Sequence, residues 1–165
     1  MREIRVGKAS LNIGVGMGGK KLSKAEGVLE EIVDQEPVRT YAKRTNKDFE
    51  ITQGTPVGCK VTLRGEKAVS VLDRLLKAVG REINESSIDR NGNFSFGVDE
   101  HIEISGMEYN PEIGIYGLDV SVSLVRPGFR IKNRRRNPSK IPESHQIDKS
   151  ETIQFLEENF SVEVV

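Results

Sequence analysis

The chain has 165 residues, of which 36% are hydrophobic and 30% are charged, which is typical of a soluble globular protein. This length suits one domain with a sizeable core, and we expect a single domain over residues 1–165. No apolar run approaches the ~20 residues that span a membrane, and the N-terminus shows no secretory signal. The single cysteine, Cys59, excludes an internal disulfide and fits a reducing compartment. We therefore expect a cytoplasmic protein with no membrane partner.

The formal net charge is zero, but the charges are segregated along the chain. No acid occurs between Val120 and Pro142, whereas this segment contains the basic residues Arg126, Arg130, Lys132, Arg134, Arg135, Arg136 and Lys140. A second acid-free segment, residues 37–47, contains Arg39, Lys43, Arg44 and Lys47. Such asymmetry favours a polyanionic partner, namely nucleic acid, over an ordinary solvated surface.

In the first third of the chain, apolar and polar residues alternate over residues 6–15 (VGKASLNIGV), which predicts a strand. Ser23 and Glu26 match a capping box, and the helical spacing that follows ends at Pro37. PVRTYA and FEIT then predict two short strands joined by the basic loop.

The remaining elements predict several antiparallel strands and two more helices. GCKVTLRG alternates cleanly, residues 66–80 form the strongest helical stripe, and an Asn91-Gly92 turn precedes the strand-like NFSFGV. IYGLDVSVSLV predicts a final strand, followed by a long basic loop at about 126–142 and a helix at about 149–159. This order indicates an α+β fold with a largely antiparallel sheet and helices packed on one face.

The glycines after the first strand match a nucleotide-binding pattern. Gly14, Gly16 and Gly19 satisfy G-x-G-x-x-G, which requires a parallel βαβ unit and an acid about 20 residues further on. The nearest acids precede the second predicted strand, and a P-loop match fails at Lys21. We therefore predict a bulge or tight turn, and keep a nucleotide-binding protein that uses residues 14–19 only as an unfavoured alternative.

Catalytic and metal sites are not indicated either. His101, His145 and Cys59 are too few for a typical zinc site. The HIE sequence at 101–103 resembles part of the zinc deaminase motif, but the P-C-x-x-C that would complete it is absent. We expect no enzyme, no catalytic residue, no metal and no cofactor.

Three predicted strands sort their side chains into an apolar and a polar face, because alternate residues point to opposite sides. In the first strand, Leu11 and Ile13 lie opposite Lys8, Ser10 and Asn12. The corresponding polar residues of the other two strands are Lys60, Thr62 and Arg64, and Asp119, Ser121 and Ser123. If the helices cover the apolar face, the polar face stays open. Such side chains contact phosphate and sugar oxygens, but a simply solvated face is equally compatible with the pattern.

Four segments carry a family resemblance, namely ASLNIGVG, FEITQGTPVGCKVTLRGEK, DRNGNFSFGVDEHI and GIYGLDVSVSL. In this order and spacing they resemble the universal family-five ribosomal proteins of the large subunit, whose members bind 5S ribosomal RNA in the central protuberance. The resemblance covers about residues 2–160. The tail from Arg126 onward looks like the archaeal and eukaryotic branch and departs from the shorter bacterial ending.

The resemblance implies an antiparallel sheet with helices on one side and 5S RNA on the other. Asn12, Gln53, Thr62 and Arg64 occupy positions of the family's RNA-contacting motifs. With the polar face and the basic segment at about 126–142, the expected rRNA-binding residues are Lys8, Ser10, Asn12, Gln53, Lys60, Thr62, Arg64, Arg130, Lys132, Arg134, Arg135 and Arg136. The loop of residues 42–49 matches the one that reaches peptidyl-site tRNA, with the expected contacts Lys43, Arg44, Thr45, Asn46 and Lys47.

The implied function is that of a structural constituent of the large ribosomal subunit. The implied partners are 5S rRNA, large-subunit rRNA, peptidyl-site tRNA, a neighbouring 5S-binding ribosomal protein and a small-subunit head protein across an inter-subunit bridge. One alternative is a free RNA-binding module of RRM type, in which Phe94 and Phe96 would stack on bases. The chain contains no tryptophan, three tyrosines and six phenylalanines, and we assign these two rings to the core instead.

Overall fold

The computed structural model describes all residues from Met1 to Val165. Its strands are β1 (Arg5–Gly14), β2 (Val38–Tyr41), β3 (Pro56–Leu63), β4 (Glu82–Ile83), β5 (Asn93–Val98), β6 (Leu118–Val125) and β7 (Glu163–Val164). Its α-helices are α1 (Lys20–Val33), α2 (Gly65–Ala78), α3 (Arg130–Asn133) and α4 (Lys149–Phe160). Short 3₁₀ helices cover Glu85–Ser87, His101–Glu103 and Glu143–His145. No helix has the length and apolar character that crossing a membrane requires.

Five strands form one antiparallel sheet in the order β2-β3-β1-β6-β5. The first strand of the chain is therefore the central strand of the sheet. The short strands β4 and β7 form a separate parallel pair. The predicted α+β class with a largely antiparallel sheet is confirmed, whereas the β4–β7 pair was not predicted.

The core lies on the sheet face that the side-chain alternation predicted to be apolar. Leu11 and Ile13 of β1 are at most 1% exposed, and α1 and α2 cover this face with Leu29 and Leu72 at their centres. Burying one such leucine stabilises the fold by about 1.5–3 kcal/mol relative to leaving it in water. Because the helices pack on this face, the other face of the same strands stays uncovered by α1 and α2.

The glycine-rich segment is a turn that joins β1 to α1. The backbone N–H groups of Val15 and Gly16 both donate to the carbonyl of Val57, at 2.9 and 2.8 Å. Gly16 and Gly19 have φ of +78° and +86°, a backbone conformation that residues other than glycine rarely adopt. The predicted tight turn is confirmed. The predicted capping box is wrong, because the helix begins at Lys20 and Ser23 lies inside its first turn.

Two further predictions needed correction. FEIT is not a strand, since only Ile51 pairs there, in an isolated bridge with Asn46. The basic segment at 126–142 is not entirely a loop, because α3 forms one helical turn within it. The last helix agrees with prediction, and Asp148 caps it by accepting the N–H of Glu151 at 3.0 Å.

Phe94 and Phe96 lie on the core side of β5, where they are paired with Val122 and Val120 of β6. Phe94 is buried, Phe96 is half-buried against the core, and their ring centroids are 6.5 Å apart. Neither ring is therefore available to stack on a base at the open face. This placement confirms the assignment of both rings to the core and disfavours an RRM type of recognition.

Candidate nucleic-acid interface

A row of hydroxyl groups crosses the open face of the sheet. The strand register places Thr62, Ser10, Ser121 and Ser95 side by side on β3, β1, β6 and β5. The hydroxyl groups of Ser10 and Thr62 lie 3.2 Å apart and share a hydrogen bond. All four side chains are exposed or partly exposed. Four strands thus present one continuous line of groups that can both donate and accept hydrogen bonds.

Two further rows flank the hydroxyl row. On one side, Asn12 pairs with Lys60 and with Asp119. On the other, Ser123 pairs with Lys8 and with Asn93. The predicted residues Lys8, Ser10, Asn12, Lys60 and Thr62 therefore do share one face. Asp119 is the one acid among the paired residues of β1, β3, β5 and β6 on this face.

A cleft of about 1070 Å³ lies where the sheet meets residues 126–147. The cations that line it are Lys8, Arg64, Lys132 and Lys140, and its only acid is Glu143. Amide side chains line it as well, namely Asn91, Asn93, Asn133 and Gln146. The fold thus brings the polar face and part of the basic segment at 126–142 together around one concave surface.

The outer side of the cleft is tied to the body by Arg126, which is only 5% exposed. Its guanidinium donates to the carbonyls of Arg2 at 3.1 Å and Gln146 at 2.8 Å, and it forms an ion pair with Glu151. The sequence grouped Arg126 with the free cations of its segment, but burial makes it an anchor. The grouping was misleading because Glu151 follows 25 positions later in the chain.

The other basic residues of this segment do not line the cleft. Arg130, Arg134, Arg135 and Arg136 are exposed on α3 and the turn that follows it, whereas Lys132 and Lys140 face the cleft. Arg134 donates from Nε to the carbonyl of Asn137 at 2.7 Å. These four arginines form a separate cationic surface next to the cleft.

The predicted tRNA-binding residues lie in a different place, on the loop of residues 42–55 between β2 and β3. Lys43, Arg44 and Lys47 are exposed, and none of them forms an ion pair. Gln53 belongs to this loop as well, because its N–H donates to the hydroxyl of Thr45 at 3.1 Å. The structure therefore separates Gln53 from the sheet face with which it was grouped.

Several residues of the surface were missed by sequence reasoning. Asn93 and Ser95 alternate with Phe94 and Phe96 along β5, so the parity argument applied to the other strands would have found them. Lys140 was seen only as part of a basic run. Its position in the cleft depends on the folding of residues 126–147, for which the sequence gives no periodic signal.

Asp89 holds the cleft residues Asn91 and Asn93 in place. One carboxylate oxygen accepts the backbone N–H groups of both residues at 2.8 Å, and the other accepts the Asn93 amide at 2.7 Å. Burial alone raises the pKa of Asp89, but these hydrogen bonds outweigh burial and leave its pKa below the usual value. The ionised carboxylate therefore fixes the Asn93 side chain at the edge of the cleft.

The groups that could carry catalysis are not arranged for it. Burial raises the pKa of the Cys59 thiol to about 11, which leaves it protonated and unreactive near neutral pH. His101 is buried, and its Nδ1 accepts the N–H of Tyr116 at 3.2 Å. No group of three or more His, Cys, Asp or Glu side chains is placed to hold a metal ion.

An α+β fold with an open polar sheet beside a cationic cleft has the characteristics of a ribonucleoprotein component. Two family models match the chain, Ribosomal protein L5 over residues 1–51 and the C-terminus of the same ribosomal family over residues 56–155. The chain is 48% identical to the large ribosomal subunit protein uL5 of Methanosphaera stadtmanae over 164 residues, covering 99% of this chain and 98% of that protein. It is 49% identical to uL5 of Sulfurisphaera tokodaii over 166 residues, covering 100% and 94%.

The chain therefore belongs to the uL5 family of large-subunit ribosomal proteins. It is a structural constituent of the large subunit of the cytoplasmic ribosome, in a family that is not enzymatic and for which binding of rRNA is typical. The resemblance inferred from the four sequence segments is thereby confirmed.

Proposed function

We propose that the chain binds 5S rRNA through the open face of its sheet and helps attach this RNA to the large subunit. The observation that carries the proposal is the row formed by Thr62, Ser10, Ser121 and Ser95. An A-form RNA helix displays its 2′-hydroxyls in a wide, shallow minor groove, which a broad sheet of small polar side chains can approach. Hydroxyl groups pair well there because each can both donate and accept.

The charges around the face support the same proposal. Lys8, Lys60 and Arg64 flank the hydroxyl row and form no ion pair, so their charges are available to phosphates. Asp119 is the acid that opposes them. Phosphate contacts supply most of the affinity in such complexes, and contacts to sugars and bases fix the register.

We further propose that the loop of residues 42–55 contacts peptidyl-site tRNA. Lys43, Arg44 and Lys47 are exposed there without acidic partners, and Thr45 and Asn46 complete the surface. On the family resemblance we extend the proposal to large-subunit rRNA, a neighbouring 5S-binding ribosomal protein and a small-subunit head protein across an inter-subunit bridge.

Affinity for a 5S rRNA transcript tests the sheet proposal. Asn12→Ala, Thr62→Val and Arg64→Ala should each weaken binding, on the order of 1 kcal/mol for a neutral contact and more for the charged one. The fold should persist because these side chains lie opposite the core. Ser70→Ala, on the exposed side of α2, is a matched control that should bind like the wild type. If all three face variants bind with wild-type affinity, the open face is not the RNA-binding surface.

A further inference from the structure

We propose that the cleft beside the sheet is a second RNA-binding element, which takes one phosphodiester strand, and that Arg126 positions its outer wall. The outer wall consists of residues 126–147. This inference rests on the proposed binding of 5S rRNA at the open face and assigns a further part of that RNA to a separate surface of the protein.

The lining of the cleft is suited to a phosphodiester strand. Lys8 and Arg64 approach from the sheet, and Lys132 and Lys140 approach from the outer wall. None of these four cations forms an ion pair within the protein. Cations on both sides of a concave surface reinforce one another's potential and attract an anionic chain.

The amide groups add contacts that a mere patch of charge would lack. Asn93 is held by Asp89, and Gln146 donates to the carbonyl of Ile141 at 3.4 Å. Amide side chains can bond both to phosphate oxygens and to 2′-hydroxyls. Phe129 adds an apolar side chain to the outer wall, where its ring lies edge-on to His145 with centroids 5.7 Å apart.

The cleft and the open face form one continuous surface, which is why the same RNA is assigned to both. Lys8 and Asn93 line the cleft and also stand in the row of the face that contains Ser123. An RNA strand that crosses the hydroxyl row at Ser10 therefore reaches the cleft at the next row of side chains. No other element separates the two surfaces along β1.

Arg126 is suited to position the outer wall because its contacts connect the two ends of the wall. It is itself the first residue of the wall, and its guanidinium donates to the carbonyls of His145 and Gln146 at the other end, at 3.3 and 2.8 Å. Its ion pair with Glu151 joins the wall to α4, and its bond to Arg2 joins it to the N-terminal segment. A lysine ammonium lacks the planar fork that makes these contacts together.

The segment between the two ends of the wall also makes hydrogen-bond contacts within itself. The N–H of Ser139 donates to the carbonyl of Ile131 at 3.1 Å, and Nε2 of His145 lies 3.0 Å from the carbonyl of Pro127. Lys132 and Lys140 therefore belong to one internally hydrogen-bonded segment. The orientation of this segment depends on the contacts at its two ends. Loss of the anchor should move both cations together.

The cleft is tested by the salt dependence of binding to a 5S rRNA transcript. Lys132→Gln/Lys140→Gln should reduce the slope of log affinity against log salt by about 0.7–0.9 for each phosphate that is no longer neutralised. Lys67→Gln/Lys77→Gln removes the same charge from α2, on the opposite side of the sheet, and should keep the full slope. A full slope in the cleft variant would show that the cleft takes no RNA strand.

The role of Arg126 is tested by a double-mutant cycle. Arg126→Lys should reduce the slope about as much as Lys132→Gln/Lys140→Gln, and the combined variant should show no further reduction, because both act through the same wall. Trypsin should also cleave Arg126→Lys faster within residues 130–140. Thermal unfolding checks the fold, and Glu151→Gln gives the same cycle if Arg126→Lys does not fold.

The possible failures are distinguishable. Additive reductions in the cycle would show that Arg126 does not act through the cleft cations, and would overturn its positioning role. A full slope in the cleft variant, with weakened binding in Thr62→Val, would overturn the cleft and leave the sheet proposal standing. A wild-type chain that does not bind the 5S transcript would overturn the sheet proposal and, with it, this one.

Discussion

The loop of residues 42–55 and the wall of residues 126–147 are both basic, but the fold holds them by different means. The loop closes mainly on itself, through a backbone bond of 2.9 Å from Ala42 to Thr55 and a bridge between Asn46 and Ile51. The wall is tied to α4 and to the N-terminal segment by the buried guanidinium of Arg126.

This difference separates two ways of presenting cations to RNA. Cations on an anchored wall are already in position, so binding orders few additional groups. Cations on a loop that contacts mainly itself can adapt to a partner, but ordering each long side chain costs about 0.5–1.5 kcal/mol on binding. The wall suits a partner that stays in place, and the loop suits one that arrives and leaves.

The largest expected effect concerns the anchor and the stability of the chain. Arg126→Ala leaves Glu151 and three carbonyl groups without their donor, and should lower the free energy of unfolding by about 3 kcal/mol. This is the lower end of the range for a broken buried pair, because Glu151 keeps some contact with water. Urea titration of the variant and the wild type measures the change.

The matched variant Arg44→Ala removes an exposed arginine from the loop. It should change the free energy of unfolding by no more than about 0.5 kcal/mol. Equal destabilisation of the two variants would contradict the difference in anchoring.

The next effect separates the two basic regions by their partners. Replacing Arg134, Arg135 and Arg136 by glutamine should flatten the salt dependence of 5S rRNA binding by about 0.7–0.9 in slope for each phosphate left without its cation. Replacing Lys43, Arg44 and Lys47 by glutamine should leave 5S binding nearly unchanged and weaken the retention of peptidyl-site tRNA on assembled ribosomes. The opposite pattern would mean that the two roles are reversed.

A smaller effect concerns Asp89, which fixes Asn91 and Asn93 on the sheet side of the cleft. Asp89→Ala should lower the free energy of unfolding by about 1 kcal/mol, because it removes charge-assisted hydrogen bonds at an exposed turn. The folded state lowers the pKa of Asp89, so its contribution is present above the unfolded pKa and is lost as the pH falls through the folded pKa.

Thermal unfolding across pH 2–7 checks this sign. The difference in melting temperature between the wild type and Asp89→Ala should be largest near neutral pH and should shrink in acid. A difference that grows toward low pH would mean that the carboxylate is not stabilised by these hydrogen bonds.

The smallest expected effect is none at all, at the glycine turn that is hydrogen-bonded to the start of β3. Val57, near the base of the loop, accepts the N–H groups of Val15 and Gly16, so the turn is occupied by backbone contacts. Calorimetric titration with ATP, GTP or NAD at millimolar concentration should show no saturable binding. A micromolar site abolished by changing Lys20 and Lys21 would contradict the turn-only interpretation.

Much of the fold could be predicted because its signals are local. Alternation along β1, β3 and β6 identified the core face, and helical spacing identified α1 and α2. The β4–β7 pair could not be predicted, since two strands of two residues meet from positions about 80 residues apart. The turn of α3 is too short to show periodicity, and the start of α1 depends on the backbone of Gly19 rather than on a capping side chain.

The candidate site was predictable where its residues lie on strands. Ser10, Asn12 and Thr62 needed only parity, whereas the cleft needed the position of residues 126–147 relative to the sheet. The burial of Arg126 depends on Arg2 and Glu151, both distant in sequence, so charge counting assigned it to the surface. Conversely, Gln53 was placed by family resemblance alone, and its location in the loop required the structure.

The central position of β1 in the sheet has a consequence for synthesis of the chain. β1 can pair with β3 once both have left the ribosome, but its other edge has no partner until β6, which ends at Val125, has been synthesised. At about 5–20 residues per second, the 62 residues between Leu63 and Val125 take roughly 3–12 s to translate. During that interval the nascent chain carries a half-sheet with one bare edge and an incompletely covered apolar surface. This protein should therefore depend on protection by a chaperone or by the exit-tunnel surface until its last long strand emerges.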